Sequence, residues 1–173
     1  LHQQATQILS TASERKLPVT LIMLDADHFK RINDEFGHQT GDAVLCHMVA
    51  RIRLHLRAHD LLGRFGGEEF VLILPGLDTV SAHPVAERIR QGLSSQPWHT
   101  EETPVPLSVS LGVACSDQQG YVFDALLGAA DAALYQAKAL GRNRVELALH
   151  PGSDPKDQMA LRLLSQFRHN LDV

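Results

Sequence analysis

Two apolar runs held apart by Gly66-Gly67-Glu68-Glu69 constrain this chain more than any other feature. Leu61-Leu62 lies before the glycines and Phe70-Val71-Leu72-Ile73-Leu74 after them. The arrangement predicts a β-hairpin, whose tight turn takes positive φ that glycine supplies without steric cost. A bare turn has no use for two acids directly behind it. A carboxylate at a hairpin tip, opposite a carboxylate at another strand end, is a means of holding a divalent cation against a triphosphate.

A second acid of that kind exists. Val19-Thr20-Leu21-Ile22-Met23-Leu24 is short, mostly apolar and branched, so it reads as a buried strand, and it runs into Asp25-Ala26-Asp27. Asp27 precedes Phe29, Ile32 and Phe36, which share one helical face, so helix N-cap and ligand are both open to it. Asp25 finishes the strand and has no capping role to explain it.

Leu24-Asp25-Ala26-Asp27-His28-Phe29-Lys30, Asn33-Asp34, Gly37-His38, Gly41-Asp42 and Gly66-Gly67-Glu68-Glu69-Phe70 together resemble the signatures of the GGDEF-domain family of diguanylate cyclases. Ala130-Asp131-Ala132-Ala133-Leu134-Tyr135-Gln136-Ala137-Lys138, followed by Gly141-Arg142-Asn143-Arg144, is similar to the family's last helix and strand. Each block alone is weak, but together, in order and at family spacing, they are specific. Glu68 stands where the family's name has Asp, which keeps the carboxylate. The D-x-L-T-G-L-x-N-R segment that usually opens the family is not found ahead of the first block.

The resemblance implies an α/β (α+β) fold: a mixed central sheet with a β-hairpin, flanked by helices, as in the palm-like, ferredoxin-type nucleotidyl cyclases. It implies GTP as substrate and cyclic di-GMP as product. Asp25 and Glu68, with the backbone carbonyl of Ala26, are then the holders of Mg²⁺, with Mn²⁺ as the alternative cation. Magnesium takes hard oxygen ligands and keeps waters and substrate phosphates, so two protein carboxylates suffice. Glu69 either supports a second metal or helps deprotonate the attacking hydroxyl, or is a solvated turn acid. Asp27, His28, Phe29 and Lys30 meet the phosphates at a helix start, where free N–H groups and the dipole favour anions. Lys138 and Arg142 neutralise the distal phosphates; their plain alternative is cations near a helix C-terminus.

Asn33 and Asp42 are assigned to the base. Guanine offers N1–H and N2 amino donors to a carboxylate that only accepts, whereas adenine offers an acceptor at N1, so Asp42 disfavours ATP. Asp42 competes for a second role, capping the helix that follows. Arg57-Ala58-His59-Asp60 is an R-x-x-D with five residues between it and Gly66, the offset of the family's product-inhibition site. An isolated R-x-x-D is usually a surface ion pair. Arg88 falls where the family often has a further inhibitory arginine.

One domain holding one GTP cannot supply both reactants, so a homodimer is expected for catalysis, and a sensor domain is expected outside this chain. The competing reading is a non-catalytic module that binds GTP or cyclic di-GMP. With a net charge of -4 the chain has no broad basic surface for polymeric nucleic acid. Two cysteines, Cys46 and Cys115, without C-x-x-C, exclude a disulfide framework and a zinc knuckle. His55 and His59 read as solvated or capping side chains of one helix. No apolar run reaches ~18 residues and no signal-peptide pattern stands at the start. A cytoplasmic domain is expected, with membrane attachment of a longer protein left open.

The order of elements reads βααββαβαβ after an N-terminal helix remnant, over 1–149, as a catalytic domain lacking the family's opening segment. The helix after Gly41 runs to Leu56, the next reaches Leu93 with Pro84 at or inside its start, and Leu107–Val113 alternates as a half-buried strand. Residues 150–173 read as a linker and a C-terminal helix.

Overall fold

The computed structural model describes residues 1–100 and 103–149; the expected linker and C-terminal helix lie outside the described residues. The elements are α1 (His2–Glu14), β1 (Val19–Ala26), α2 (Phe29–Phe36), α3 (His38–Arg53), β2 (Leu61–Arg64), β3 (Glu69–Pro75) and α4 (Thr79–Ser94). They continue as β4 (Trp98–His99), β5 (Pro104–Val105), β6 (Val109–Cys115), α5 (Ser116–Gln119), α6 (Phe123–Ala139) and β7 (Val145–Leu147). The expected order is recovered, with the two-stranded β4–β5 ribbon and the short α5 added. None of the described helices is long and apolar enough to cross a membrane.

Five strands form one mixed sheet in the order β2-β3-β1-β6-β7. Its pairs are antiparallel except β6 with β7, which α6 joins as a β-α-β crossover. β1 is therefore central, and it is buried along its whole length. Its side chains alternate between two cores, as the two-residue period of a strand requires. Ile22, Leu24 and Ala26 join Phe70, Leu72, Leu111 and Val113 under the α2, α3 and α4 side chains Ile32, Val44, Met48, Ile52 and Ile89. Leu21 and Met23 join Val71, Ile73 and Ala114 under Leu9 of α1 and Leu126, Ala130 and Leu134 of α6. Each such side chain taken from water contributes about 1.5–3 kcal/mol.

Helices on both faces explain a correction: β6 is buried at every residue rather than half-buried. Gly112 of β6 lies so close to α6 that a Cβ there would collide with the Ala130 carbonyl and the Leu134 backbone. α3 ends at Arg53, three residues short of Leu56, whose side chain still packs on the core. Asp78 caps α4 by accepting from the Ser81 N–H at 2.8 Å, so the helix begins at Thr79 and Pro84 sits inside it.

Candidate active site

The alternation along β1 decides where its terminal acid points. Asp25 follows Leu21 and Met23 on the α6 side, and there it meets Lys138 in the last turn of α6, Nζ to Oδ2 2.9 Å. Only 8% of the Asp25 side chain is exposed. Burial pushes its pKa up, the Lys138 hydrogen bond and charge pull it back, Asp27 raises it and Arg142 lowers it; the net direction is upward.

The hairpin delivers the second acid. Asp25 stands opposite Glu69 in the β1–β3 register, and the Ala26 N–H donates to the Glu68 carbonyl at 3.3 Å. That bond ties the residue after the glycines to the end of β1. The Glu68 pKa is also raised, by burial first, then by the Asp25 charge, with Lys138 lowering it and Glu69 raising it further. Two carboxylates that resist ionisation together are a site that favours a cation.

Among the described residues, no three His, Cys, Asp or Glu side chains converge as a ready-made metal cage. The fit to Mg²⁺ rests on the donors: Asp25 already holds one cation, the Lys138 ammonium, and the acids beside it are hard oxygen ligands.

The glycines do not work as the sequence reading expected. Positive φ occurs at Gly37, Gly76, Gly120 and Gly141, but not at Gly66 or Gly67. The Glu69 carboxylate folds back over the turn, its Oε2 2.5 Å from where a Cβ on Gly66 would lie, a contact that a swing of that side chain relieves. Gly67 has open space around it. Arg64 closes the turn by donating from Nη2 to the Gly67 carbonyl at 2.6 Å and from Nε to the Gly66 carbonyl at 3.2 Å.

Asp27 is neither a helix cap nor free for a ligand. Its carboxylate accepts from Ser108 Oγ at 2.8 Å, Ser110 Oγ at 2.7 Å and the Asn143 N–H at 3.0 Å, and its own N–H donates to the Ser108 carbonyl. The N-cap of α2 is His28, in the left-handed region at φ 57, with no side-chain cap. The first helical bonds run from Arg31 and Ile32 to the His28 carbonyl, so the N–H groups of Phe29 and Lys30 have no intrahelical acceptor. Strained backbone and free donors coincide at this helix start.

Asp27 also anchors the loop after α6. Arg142 and Asn143 both adopt positive φ, and the Arg142 N–H donates to the Ala137 carbonyl at 2.9 Å. Arg90 of α4 donates from Nη1 to Asn143 Oδ1 at 3.0 Å and from Nε to Glu87 at 2.9 Å. The sequence reading missed Ser108, Ser110, Asn143 and Arg90; the polar beat of Leu107-Ser108-Val109-Ser110-Leu111 was the available signal.

Asn33 and Asp42 lie on facing helices, α2 and α3. Gly41 makes their approach possible, since a Cβ there would collide with Asn33 Oδ1. Asp42 is exposed and five residues into α3, whose N-cap is Gly37, so the capping role falls away. A cavity of about 530 Å³ opens on another side of α2, lined by Asp27, Ile32, Phe36, Pro97, Pro106 and Asn143 among others; neither Asn33 nor Asp42 belongs to its wall.

The R-x-x-D is a closed turn rather than an ion pair. Asp60 Oδ2 accepts the Arg57 N–H at 2.7 Å, and the Asp60 N–H donates to the Arg57 carbonyl at 3.1 Å. The Arg57 and Arg88 residues are exposed. His55 and His59 lie beyond the end of α3, and His55 corrects the solvated reading: its Nε2 is buried and lacks a partner.

A family profile described as "Diguanylate cyclase, GGDEF domain" matches residues 1–144. Diguanylate cyclase DgcP of Pseudomonas aeruginosa is 42% identical over 130 residues, covering 74% of this chain and 19% of DgcP. The response regulator PleD of Caulobacter vibrioides is 44% identical over 131 residues, covering 74% of this chain and 29% of PleD. The chain thus spans less than a third of either relative. The crystal structure of the coiled coil and GGDEF domain of DgcB from Caulobacter crescentus, in complex with c-di-GMP, superposes with a TM-score of 0.78 at 32% identity, covering 84% of this chain and 78% of that one.

Proposed function

Because the chain belongs to the GGDEF family of diguanylate cyclases, we propose that it condenses two molecules of GTP into cyclic di-GMP and two pyrophosphates, with feedback by the product. One observation carries the reading: Asp25 at the end of the central strand, bonded to Lys138 and sharing its field with Glu68.

Asp25, Glu68 and the Ala26 carbonyl would hold Mg²⁺ or Mn²⁺, which when bound supplies charge neutralisation and Lewis acidity at the triphosphate. The remaining work falls to the chain. Lys138, which here pairs with Asp25, would with Arg142 neutralise the distal phosphates. The free N–H groups of Phe29 and Lys30 bind phosphate oxygens at the α2 start, with the Lys30 side chain adding charge. Asn33 and Asp42 accept and read the guanine edge across the α2–α3 notch. Glu69 supports a second cation or takes the proton from the attacking 3′-hydroxyl.

Ribose O3′ of each GTP bonds to the α-phosphorus of the other, and each attack breaks the α–β phosphoanhydride bond, so two pyrophosphates leave. One site per domain makes two opposed domains the working unit, so catalysis is chiefly a matter of positioning. The experiment is incubation with GTP and Mg²⁺ over a range of protein concentrations. Cyclic di-GMP and pyrophosphate in a ratio of about 1:2, at a rate per domain that climbs with concentration, is the expected result. GTP bound without turnover, even with a fused dimerising domain, replaces this reading with the non-catalytic binding module.

A further inference from the structure

Four buried side-chain polar atoms lack a hydrogen-bond partner among the described residues, and three of them belong to Arg51, His55 and Asp60, at and just beyond the end of α3. Orphaned buried groups are rare enough that a cluster of them calls for a physical explanation. The first two converge on α4. A Cβ at Gly92 would lie 3.1 Å from His55 Nε2, so the bare glycine makes room for the imidazole, and an Arg51 guanidinium nitrogen, 4.0 Å from the same point, lies beside it. Arg88, one turn before Gly92 on α4, is close enough that its charge acts on the same imidazole.

No carboxylate among the described residues forms an ion pair with Arg51 or Arg88. Arg90, two residues along α4, shows the contrast: it is bonded to Glu87 and Asn143. Burial, followed by the Arg88 and Arg51 charges, lowers the His55 pKa, which keeps the ring neutral, with one N–H to donate and no charge to add. Two guanidinium forks and a neutral imidazole around one notch are a donor set for phosphate oxygens. With His55 neutral, the three arginines 51, 57 and 88 less the Asp60 carboxylate leave a net charge of +2. A cyclic dinucleotide carries one negative charge on each of its two phosphodiesters.

We infer that Arg51 and His55 form, with Arg88, a phosphodiester-binding subsite in the α3–α4 notch at Gly92, extending the site of Arg57 and Asp60 so that it takes a cyclic dinucleotide. The inference rests on the reading of Arg57, Asp60 and Arg88 as the product site. Asp60 holds the Arg57 turn two residues past His55, while His55 and Arg51 reach Gly92 of α4.

The test is calorimetric titration of the full chain with cyclic di-GMP, comparing wild type with Arg57→Ala, Arg51→Gln, His55→Ala and Gly92→Ala, each checked for an unchanged thermal unfolding transition. Gly92→Ala removes no ligand group and adds only a methyl group to the notch. Losses of about tenfold or more in affinity in all four variants are expected, the size of one charge-assisted hydrogen bond. Weakening by Arg57→Ala alone overturns the subsite and leaves the product site standing. Indifference to Arg57→Ala as well overturns the product site itself. Titration with inorganic phosphate separates the remaining source: affinity for phosphate equal to that for the dinucleotide makes this a general oxyanion pocket and overturns the assignment. If Gly92→Ala unfolds, Arg51→Lys, which keeps charge and loses the fork, stands in for it.

Discussion

The corner at the end of β1 and the α3–α4 corner are both crowded with charge, yet they settle it in opposite ways. At the end of β1 each group has a companion: Lys138 on Asp25, and two serines and an amide on Asp27. Around the end of α3, Arg51, His55 and Asp60 keep buried atoms without a hydrogen bond. A ligand arriving at the first corner must exchange with an internal partner, whereas one arriving at the second has no such partner to displace. Exchange makes binding contingent on the right cation and phosphate together; filling makes it depend on shape and charge alone.

The largest test of this contrast is Glu68→Ala. Removing the hairpin carboxylate leaves Asp25 to its Lys138 pairing and deprives the incoming cation of its second acid. Turnover of GTP should fall by about 10²-fold or more, on the scale of losing a preorganised electrostatic group. Retention of cyclic di-GMP synthesis would break the exchange picture at its root.

Lys138→Gln probes the internal partner itself. Both acids have raised pKa values in the free protein, so the acid limb of the kcat/KM profile, which reports the free enzyme, should lie above the ordinary carboxylate range. Lys138 holds Asp25 down by hydrogen bond and charge, so its removal should move that limb to still higher pH. A limb that stays put, measured by product formation from pH 5 to 9, would separate Lys138 from the titration of Asp25.

Asp25→Asn sharpens the comparison from the stability side. A carboxyl whose folded pKa lies above its unfolded value binds protons more readily when folded. Its contribution is therefore present at low pH and is lost as pH rises from about the ordinary value of 3.8 through the raised one. The neutral amide removes that loss. Without divalent cations the variant should melt higher than wild type at pH 7, by roughly 2–4 °C per kcal/mol gained, and the gap should close near pH 4. A lower melting temperature at pH 7 would mean that the Lys138 pairing outweighs the cost of burying Asp25.

The smallest effect is expected at a position outside both corners. Asp78→Ala removes the α4 cap and should cost about 1 kcal/mol of stability, read by denaturant titration. Because α4 carries Arg88 and Arg90, a change in product affinity larger than the stability loss would show that the corners communicate through this helix.

Local patterns made the framework legible. The apolar run into Asp25, the hairpin acids and the Lys138 helix are contiguous motifs, and the structure assembles the strands in one sheet, with that helix packed on it, in the expected order. Asp27 was misread because its partners Ser108, Ser110 and Asn143 are 81, 83 and 116 residues away, and no local spacing encodes such bonds. Gly41 was legible as a glycine but not for its reason, the Asn33 and Phe29 side chains packed against it, and Gly66 and Gly67 make their turn without positive φ. His55 looked solvated because helical spacing continued past Arg53 on paper, while the chain leaves the helix there and turns the imidazole toward α4.

Asp25 ends a strand with an antiparallel neighbour on each side, whereas Glu68 precedes a strand whose hairpin partner, β2, is the edge of the sheet. Amide protons of Met23 and Leu24 should exchange with deuterium only when the whole domain opens, and those of Leu62 and Gly63 through local fraying. The two acids would then sit on opposite ends of the molecule's hierarchy of fluctuation. The floor of the cleft should then open last and its hairpin rim first.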